Sequence, residues 1–467
     1  MATKHPLGKA LEATMIKTVP SYANKLFYSL GFLSMISFVI LIATGLTMTF
    51  YGPNWWLTSG FGTYMRSVHL WATQAFVLFI LLHLLVVFFT SGFKKPRRLI
   101  WIIGVIMLFI ILAETEFGYA LRGDYSSQWR SLQGADFYNG SGIGHWINPL
   151  NYKQIFGIHI VIVPLVIIGL LAVHYLLVRV LGIAKPYRKD VTARSVPANH
   201  QLLFIRGGVL IVLVLALALF LPSPYIKPTS IQFVAQQDTY LFKKTLVAEF
   251  TGSSDTATYV DNITPYTFQT KTIFVEAPYR QYLQLRRSDS DQLRLFYAEP
   301  AAIQDQQLKD ASRYFSKDKP SGNLPASPVL SIVNSLTTMA QSGLYESTLA
   351  SATYQDHYSD GSAYVLRFLA DTGVLADKAT ALNMTTDQYG MIREESGHAP
   401  GAWWLTPIGL LNHTVLSGDN NGDRDAGIIF GSLLLTMLAF PFIPYVNQLP
   451  DKLKVYKLIW RDKKHTL

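Results

Sequence analysis

Six stretches of the chain, at about 30–50, 68–90, 99–120, 156–180, 202–221 and 426–446, are apolar over roughly the 20 residues that a helix needs to cross a bilayer. Lipid offers the backbone no hydrogen bonds, so each run is expected to close its own as a helix. The expected class is therefore an all-α membrane protein with six spans. Charge gives its direction. Between the second and third runs lies "SGFKKPRRLIW", with four basic residues and no acidic one. Arg179, Lys185, Arg188, Lys189 and Arg194 lie between the fourth and fifth. Lys452, Lys454, Lys457, Arg461, Lys463 and Lys464 follow the sixth. All three regions, with Lys4, Lys9 and Lys17 at the N-terminus, fall on one side if every run crosses. That side is expected to be cytoplasmic, in a bacterial-type inner membrane. The opposite loops mix signs: Arg66 stands alone after the first run, and Arg122, Arg130 and Lys153 accompany Asp124 and Asp136 after the third. The net charge of +10 is thus a topology signal, and no nucleic-acid partner is required to explain it. The first 25 residues lack the apolar centre of a secretory signal.

Residues 222–400 are too long for a loop and large enough for a folded domain on the non-cytoplasmic side. "TKTIFVEA" and "QLRLFYAE" read as strands, "SPVLSIVNSLTTMAQSG" and "GSAYVLRFLADTGVL" as amphipathic helices, so an α+β insertion is expected. The chain divides into 1–221, 222–400 and 401–467. His357 and His398 in the insertion have no metal-site spacing. The chain has no cysteine, which rules out disulfides, thioether-attached haem and cysteine-ligated clusters within it. A redox metal here would be held by histidine or carboxylate.

Histidine supplies it. "HLWATQAFVLFILLH" puts His69 and His83 14 residues apart in the second run, and "HIVIVPLVIIGLLAVH" puts His159 and His174 15 apart in the fourth. At 100° per residue, a separation of 14 leaves two side chains about 40° from a common face and about 21 Å apart along the axis. Two antiparallel helices so marked offer one pair per membrane face, His69 with His159 outside and His83 with His174 inside. Facing imidazoles across a bundle are bis-histidine ligands for haem iron. The alternative is that membrane histidines hydrogen-bond neighbouring helices. Gly31 and Gly45, and Gly104 and Gly118, repeat the 14-residue spacing in the first and third runs, where a missing Cβ lets backbone approach a porphyrin. Ordinary small-residue packing accounts for glycines as well. Histidines and glycines together describe two haem slots stacked in a four-helix bundle.

These residues, with "LFYSLG", "ATGLTMTFY", "MRSVH", "SGFKKPRRLIWIIGV", "FGYAL" and "PFIPYVNQLP", resemble the cytochrome b/b6 family, the haem-carrying core of quinol–cytochrome c and quinol–plastocyanin oxidoreductases. The resemblance is closest over 17–220, and the 15-residue spacing in the fourth run is of b6 type. It implies a diheme cytochrome b bundle of four helices with two more spans, His69, His83, His159 and His174 as axial ligands of two haems b, and quinone or quinol as a further cofactor. Arg66, one turn before His69, matches the arginine that pairs with an outer propionate, a bidentate role suited to a guanidinium. Arg179 matches an arginine at the cytoplasmic quinone and haem region; a topology-setting surface charge is the other reading. A homodimer is implied too.

The departures bear on function. Ser29 stands where b6 proteins carry a haem-attaching cysteine, and nothing argues for a third haem. "GYALRGDYSSQW" places Arg122 and Gly123 where the family has Pro-Trp, and "PGAWWLTP" replaces Pro-Glu-Trp-Tyr, keeping an aromatic pair in Trp403 and Trp404 but losing the proton-accepting glutamate. Glu114 and Glu116, in the outer part of the third run, are candidates to move protons or contact the outer haem's surroundings; pairing with Arg122 or Arg130 is the alternative. The leading expectation is a transmembrane electron conduit in a quinol:cytochrome c-type or related respiratory complex, with a Rieske protein or multihaem cytochrome c as partner. The competing one is a haem-b anchor of a non-Rieske oxidoreductase whose outer quinol site is lost, with 222–400 as a docking platform.

Overall fold

Backbone amides that leave water must bond within their own segment, and the apolar runs do so as long helices. The computed structural model describes residues 18–144, 146–184, 195–260, 269–286, 290–316, 326–352, 361–385, 388–390, 392, 401–419 and 421–460. Lys4, Lys9, Lys17, Lys185, Arg188, Lys189, Arg194, Arg461, Lys463, Lys464, His357 and His398 lie outside the described residues. The membrane body is built from α1 (Leu30–Tyr51), α2 (Gly60–Phe89), α3 (Arg98–Ala120), α5 (Val163–Leu181) and α6 (His200–Phe220), with α4 (Tyr125–Gly140) between the third and fifth. A short helix, Tyr152–Gly157, and a π-helical turn, Ile158–Ile162, lead into α5.

Among the described residues, five straight segments are long and apolar enough to cross a bilayer: Leu26–Tyr51, Gly60–Phe89, Arg98–Ala120, Tyr152–Leu181 and His200–Phe220. Their outward side chains are apolar too, with Phe50, Leu165, Val180, Val212 and Phe220 exposed, as a lipid-facing surface requires. α6 turns its small face inward: Gly207, Leu210, Val214 and Ala218 are buried, the last three packing with Leu33 of α1 and Val68 and Ala72 of α2.

The sixth run departs from expectation. Instead of one helix over 426–446, α9 (Gly422–Ala439) stops and α10 (Pro444–Leu453) leaves at a bend of 80°. Pro441 and Pro444 remove two backbone donors and clash with the preceding turn, so a straight helix cannot continue. α9 is fixed at this end by Trp101 of α3, whose Nε1 donates to Met437 O at 2.7 Å. The bend then carries Asp451 to Lys94, Nζ to Oδ2 2.7 Å, on the turn between α2 and α3.

The expected α+β insertion is helical throughout its described residues. "TKTIFVEA" forms a π-helical turn over Lys271–Glu276, and "QLRLFYAE" an α-helix over Gln292–Ala298. Ile273, Phe274 and Val275 are all buried, a run of three neighbours that a two-sided strand would send to opposite faces. Leu293 and Phe296 are buried at the i, i+3 spacing of a helix. Among the described residues the strands are Thr18–Pro20 and Ser195–Pro197, paired antiparallel with Val19 opposite Val196. The amphipathic runs are helices as expected, Pro328–Gln341 and α8 (Gly361–Asp371).

The insertion is not independent of the bundle. Tyr125 of α4 sits in its core with Phe242, Phe274, Leu336 and Phe368, and donates from Oη to Leu375 O at 2.6 Å. Gln128 and Thr229 exchange two hydrogen bonds, at 2.8 and 2.9 Å. Trp129 Nε1 reaches Met384 O at 3.0 Å. α4 is thus a shared pillar, started by a capping box of Asp124 and Ser127.

Inside the insertion, Glu249 on α7 (Thr239–Thr251) meets Asp371 at the end of α8. Ser254 Oγ donates to Glu249 Oε2 at 2.7 Å, and Thr256 N to Asp371 Oδ1 at 3.0 Å. Burial, then the neighbouring Asp371, hold the Glu249 carboxyl well above the usual range, and burial raises Asp371 as well. Two buried carboxyls in contact share a proton. A raised folded-state pKa gives stability that is complete below the ordinary carboxylate range and is lost as pH climbs through the raised values. Hydrogen-exchange protection of α7 and α8, corrected for intrinsic rates, should therefore fall as pH rises from 4 toward 8 (about the span from free to strongly raised carboxyls). Glu249→Gln should flatten that dependence; a wild type insensitive to pH would contradict the shared proton.

Candidate functional site

The candidate site grows from two helix pairs, α1 with α2 and α3 with α5. Because each pair is antiparallel and the spacings match, every expected glycine lands on an expected histidine. A Cβ added at Gly31 would come 3.3 Å from Cε1 of His83, and at Gly45 3.5 Å from Cε1 of His69. The other pair repeats this, Gly104 against His174 at 3.5 Å and Gly118 against His159 at 3.0 Å. At Gly31 and Gly118 the ring would have to yield to any larger residue; at Gly45 and Gly104 a methyl would be in ordinary contact. The glycines therefore border the imidazoles.

The outer histidines face each other. The ring centres of His69 and His159 are 6.3 Å apart, with planes at 67°. A metal bonded to an imidazole nitrogen on each side at about 2 Å sets ring centres roughly 6 Å apart, so the spacing suits one metal ion between them. His69 Nδ1 lies 2.8 Å from Thr44 Oγ1, and that hydroxyl already donates to Ile40 O at 2.7 Å. Thr44 therefore accepts from His69 Nδ1–H, which leaves Nε2 bare for a metal. At the other end of the bundle, His83 and His174 are close enough to interact electrostatically.

An apolar layer separates the two ends. Phe38, Phe76, Ile111 and Ile167 form one buried cluster. Each stands midway along its helix between the two marked residues, as Phe38 does between Gly31 and Gly45. Phe38 and Phe76 stack at 5.5 Å. Above this floor opens a cavity lined by His69, His159, Gly45, Gly118, Arg66 and Glu114, among others. The residues present fit a bis-histidine haem.

Arg66 lines the cavity, but with a partner not foreseen. Its Nη2 donates to Asp124 Oδ2 and, at 3.0 Å, to Pro224 O. Arg122 Nη2 reaches the same carboxylate oxygen at 2.9 Å and the same carbonyl at 2.9 Å. Two guanidiniums thus converge on one buried carboxylate beside the cavity, donors of the kind that bind anionic groups. The two glutamates separate. Glu114 lines the cavity, with Oε1 2.9 Å from His159 Nδ1. Glu116 is not among the residues that line it and senses the charge of Arg130. Neither pairs with Arg122. Trp403 and Trp404 lie against α2 and α3: Trp403 Nε1 donates to Gln74 Oε1 at 2.8 Å, and Trp404 is buried with Val77 and Tyr119. Arg179 is exposed in the last turn of α5, where a cation complements the helix dipole. Sequence reasoning missed Thr44 and Gln74 as partners, and Asp124 as the joint between two arginines; an Asp-x-x-Ser pattern is a signal for a helix start and not for such a joint.

Comparison with known proteins bears on the family. The family model described as cytochrome b (N-terminal)/b6/petB matches residues 74–230. A cytochrome b6 from Heliobacterium mobile is 32% identical over 202 residues, covering 38% of this chain and 95% of that protein. A cytochrome b6 from Prochlorococcus marinus (strain NATL1A) is 32% identical over 196 residues, covering 36% of this chain and 88% of that protein. A solved structure titled hyperthermophilic respiratory Complex III aligns at a TM-score of 0.39 and 17% identity, over 73% of this chain and 95% of that one; at that level it decides nothing about the fold.

The Arg66–Asp124–Arg122 cluster yields a direct test. Asp124→Ala leaves two buried guanidiniums side by side, and breaking a buried pair in this way costs about 3–5 kcal/mol. Thermal or denaturant unfolding of the purified protein should show a loss of that size, largely restored when Arg66 and Arg122 are also made apolar. A loss below about 1 kcal/mol, the level of an exposed pair, would show that the cluster contributes no more than a surface contact.

Proposed function

The chain belongs to the cytochrome b/b6 family, and from that premise we propose that it carries electrons across a membrane on two haems b, in exchange with a quinone/quinol pool. The family and the five apolar spans make it a multi-pass membrane protein. One observation supports the two-haem reading: four histidines, each bordered by a glycine of the neighbouring helix, lie two to an end on either side of an apolar layer, with His69 facing His159. His69 and His159 would hold the outer haem, His83 and His174 the inner. Haem b, when bound, supplies a one-electron carrier at each end.

The chain's own residues do the rest. Thr44 fixes the tautomer of His69. Phe38, Phe76, Ile111 and Ile167 keep water from passing between the two sites. Arg66 and Arg122, joined at Asp124, would hold an outer propionate. Glu114 and Glu116 are the acidic residues in the five spans, both in the outer part of α3, and would serve the outer haem's surroundings and proton movement. Arg179 would serve the inner quinone and haem region. Positive-inside charge supports cytoplasmic termini in a bacterial-type inner membrane, with the helical insertion outside as a docking platform. A Rieske protein or multihaem cytochrome c is the partner this reading expects, and a homodimer is the assembly.

A second reading has its own observation. Trp403 is tied to Gln74 in the segment where the family carries its quinol-facing glutamate, and Trp404 is packed against Tyr119. That closure favours a haem-b anchor without an outer quinol site, serving a non-Rieske oxidoreductase. Quinol added to the purified protein should then reduce haem only through the inner side.

The primary reading is tested by a reduced-minus-oxidised spectrum with extracted haem quantified per chain. Two haems b per chain are expected, and His69→Ala and His83→Ala should each remove one, since an apolar layer divides the sites. A wild type with one haem or none would overturn it.

A further inference from the structure

The two ends of the bundle are unlike in one respect. The segments Leu26–Tyr51, Gly60–Phe89, Tyr152–Leu181 and His200–Phe220 contain no aspartate or glutamate, and Arg98–Ala120 contains Glu114 and Glu116, both toward the outer end. A carboxylate in such surroundings is expensive to bury and is retained for a function. Glu114 lines the outer cavity, and its Oε1 stands 2.9 Å from Nδ1 of His159. By hydrogen-bond geometry, neither that nitrogen nor Glu114 Oε2 is satisfied among the described residues. The ring can rotate about its Cβ–Cγ bond, a freedom that ligation through Nε2 would fix. His69, across the cavity, has the neutral hydroxyl of Thr44 instead.

Resting on the two-haem reading, we propose that Glu114 is a positioning residue for the outer haem: it accepts from Nδ1–H of His159, makes that ligand more electron-donating and lowers the outer haem's reduction potential. A carboxylate behind a metal-bound histidine raises the ligand's basicity. For a one-electron couple it favours the ferric form, which carries one more positive charge than the ferrous. The inner pair has no acidic residue in these spans to match it. Glu114 thereby sets the direction of transfer, from the outer haem inward.

The test is an equilibrium redox titration of the purified, haem-loaded full chain, followed in the α-band. Glu114→Gln keeps shape and removes charge, and should raise the lower midpoint potential by about 59 mV or more, a tenfold change in a one-electron equilibrium. The higher potential should stay put, and the ferric EPR signal of the shifted haem should move with it. Glu116→Gln removes the same charge without touching the ring and should shift the potential less. If Glu114→Gln loses the outer haem, Glu114→Asp, with its carboxylate drawn back by a methylene, should raise the potential in the same direction. Two intact haem signals with unmoved potentials in the Glu114 variants, or equal shifts from both glutamine variants, would overturn the proposal alone. A wild type without two haems would overturn the reading beneath it.

Discussion

The membrane body depends on a matched period in antiparallel helices. Gly31 and Gly45 on α1 meet His83 and His69 on α2, and Gly104 and Gly118 on α3 meet His174 on α5 and His159 on the π-helical turn that leads into it. A shift of either helix by one residue rotates its side chains by about 100° and takes glycine off histidine at both ends at once. The midpoints must then agree as well, which is why Phe38, Phe76, Ile111 and Ile167 arrive in one layer. Two sites and the apolar floor between them are consequences of one register.

The outer end adds a second joint. Asp124 begins α4, holds Arg66 of α2 and Arg122 beyond α3, and those arginines also bind Pro224 O, where the chain leaves α6 for the insertion. α4 then runs into the insertion's core through Tyr125 and Trp129. The insertion is therefore connected to the cavity by a short chain of buried hydrogen bonds. A buried charge cluster of this kind is weak evidence for net stability and better evidence for a fixed geometry.

Much of the site was legible before any coordinates. Histidine and glycine spacings are properties of sequence, and with antiparallel helices they fix which residues meet. The five straight spans were legible for the same reason. The insertion was not: short apolar runs such as "TKTIFVEA" carry no periodicity that separates a strand from a buried helical turn. Neither was the break after Ala439, where two prolines at Pro441 and Pro444 outweigh an apolar stretch long enough to span. The partners of Arg66, His69 and His159 were invisible too, since Asp124, Thr44 and Glu114 are neighbours only in space.

The most direct measurement is the structure of the haem-loaded protein by electron cryomicroscopy. Two irons should lie between His69 and His159 and between His83 and His174, about 21 Å apart along the bundle as a 14-residue helical spacing requires, with the Phe38–Phe76 stack between them. Density for one haem only, or iron bound away from these four histidines, would contradict the account.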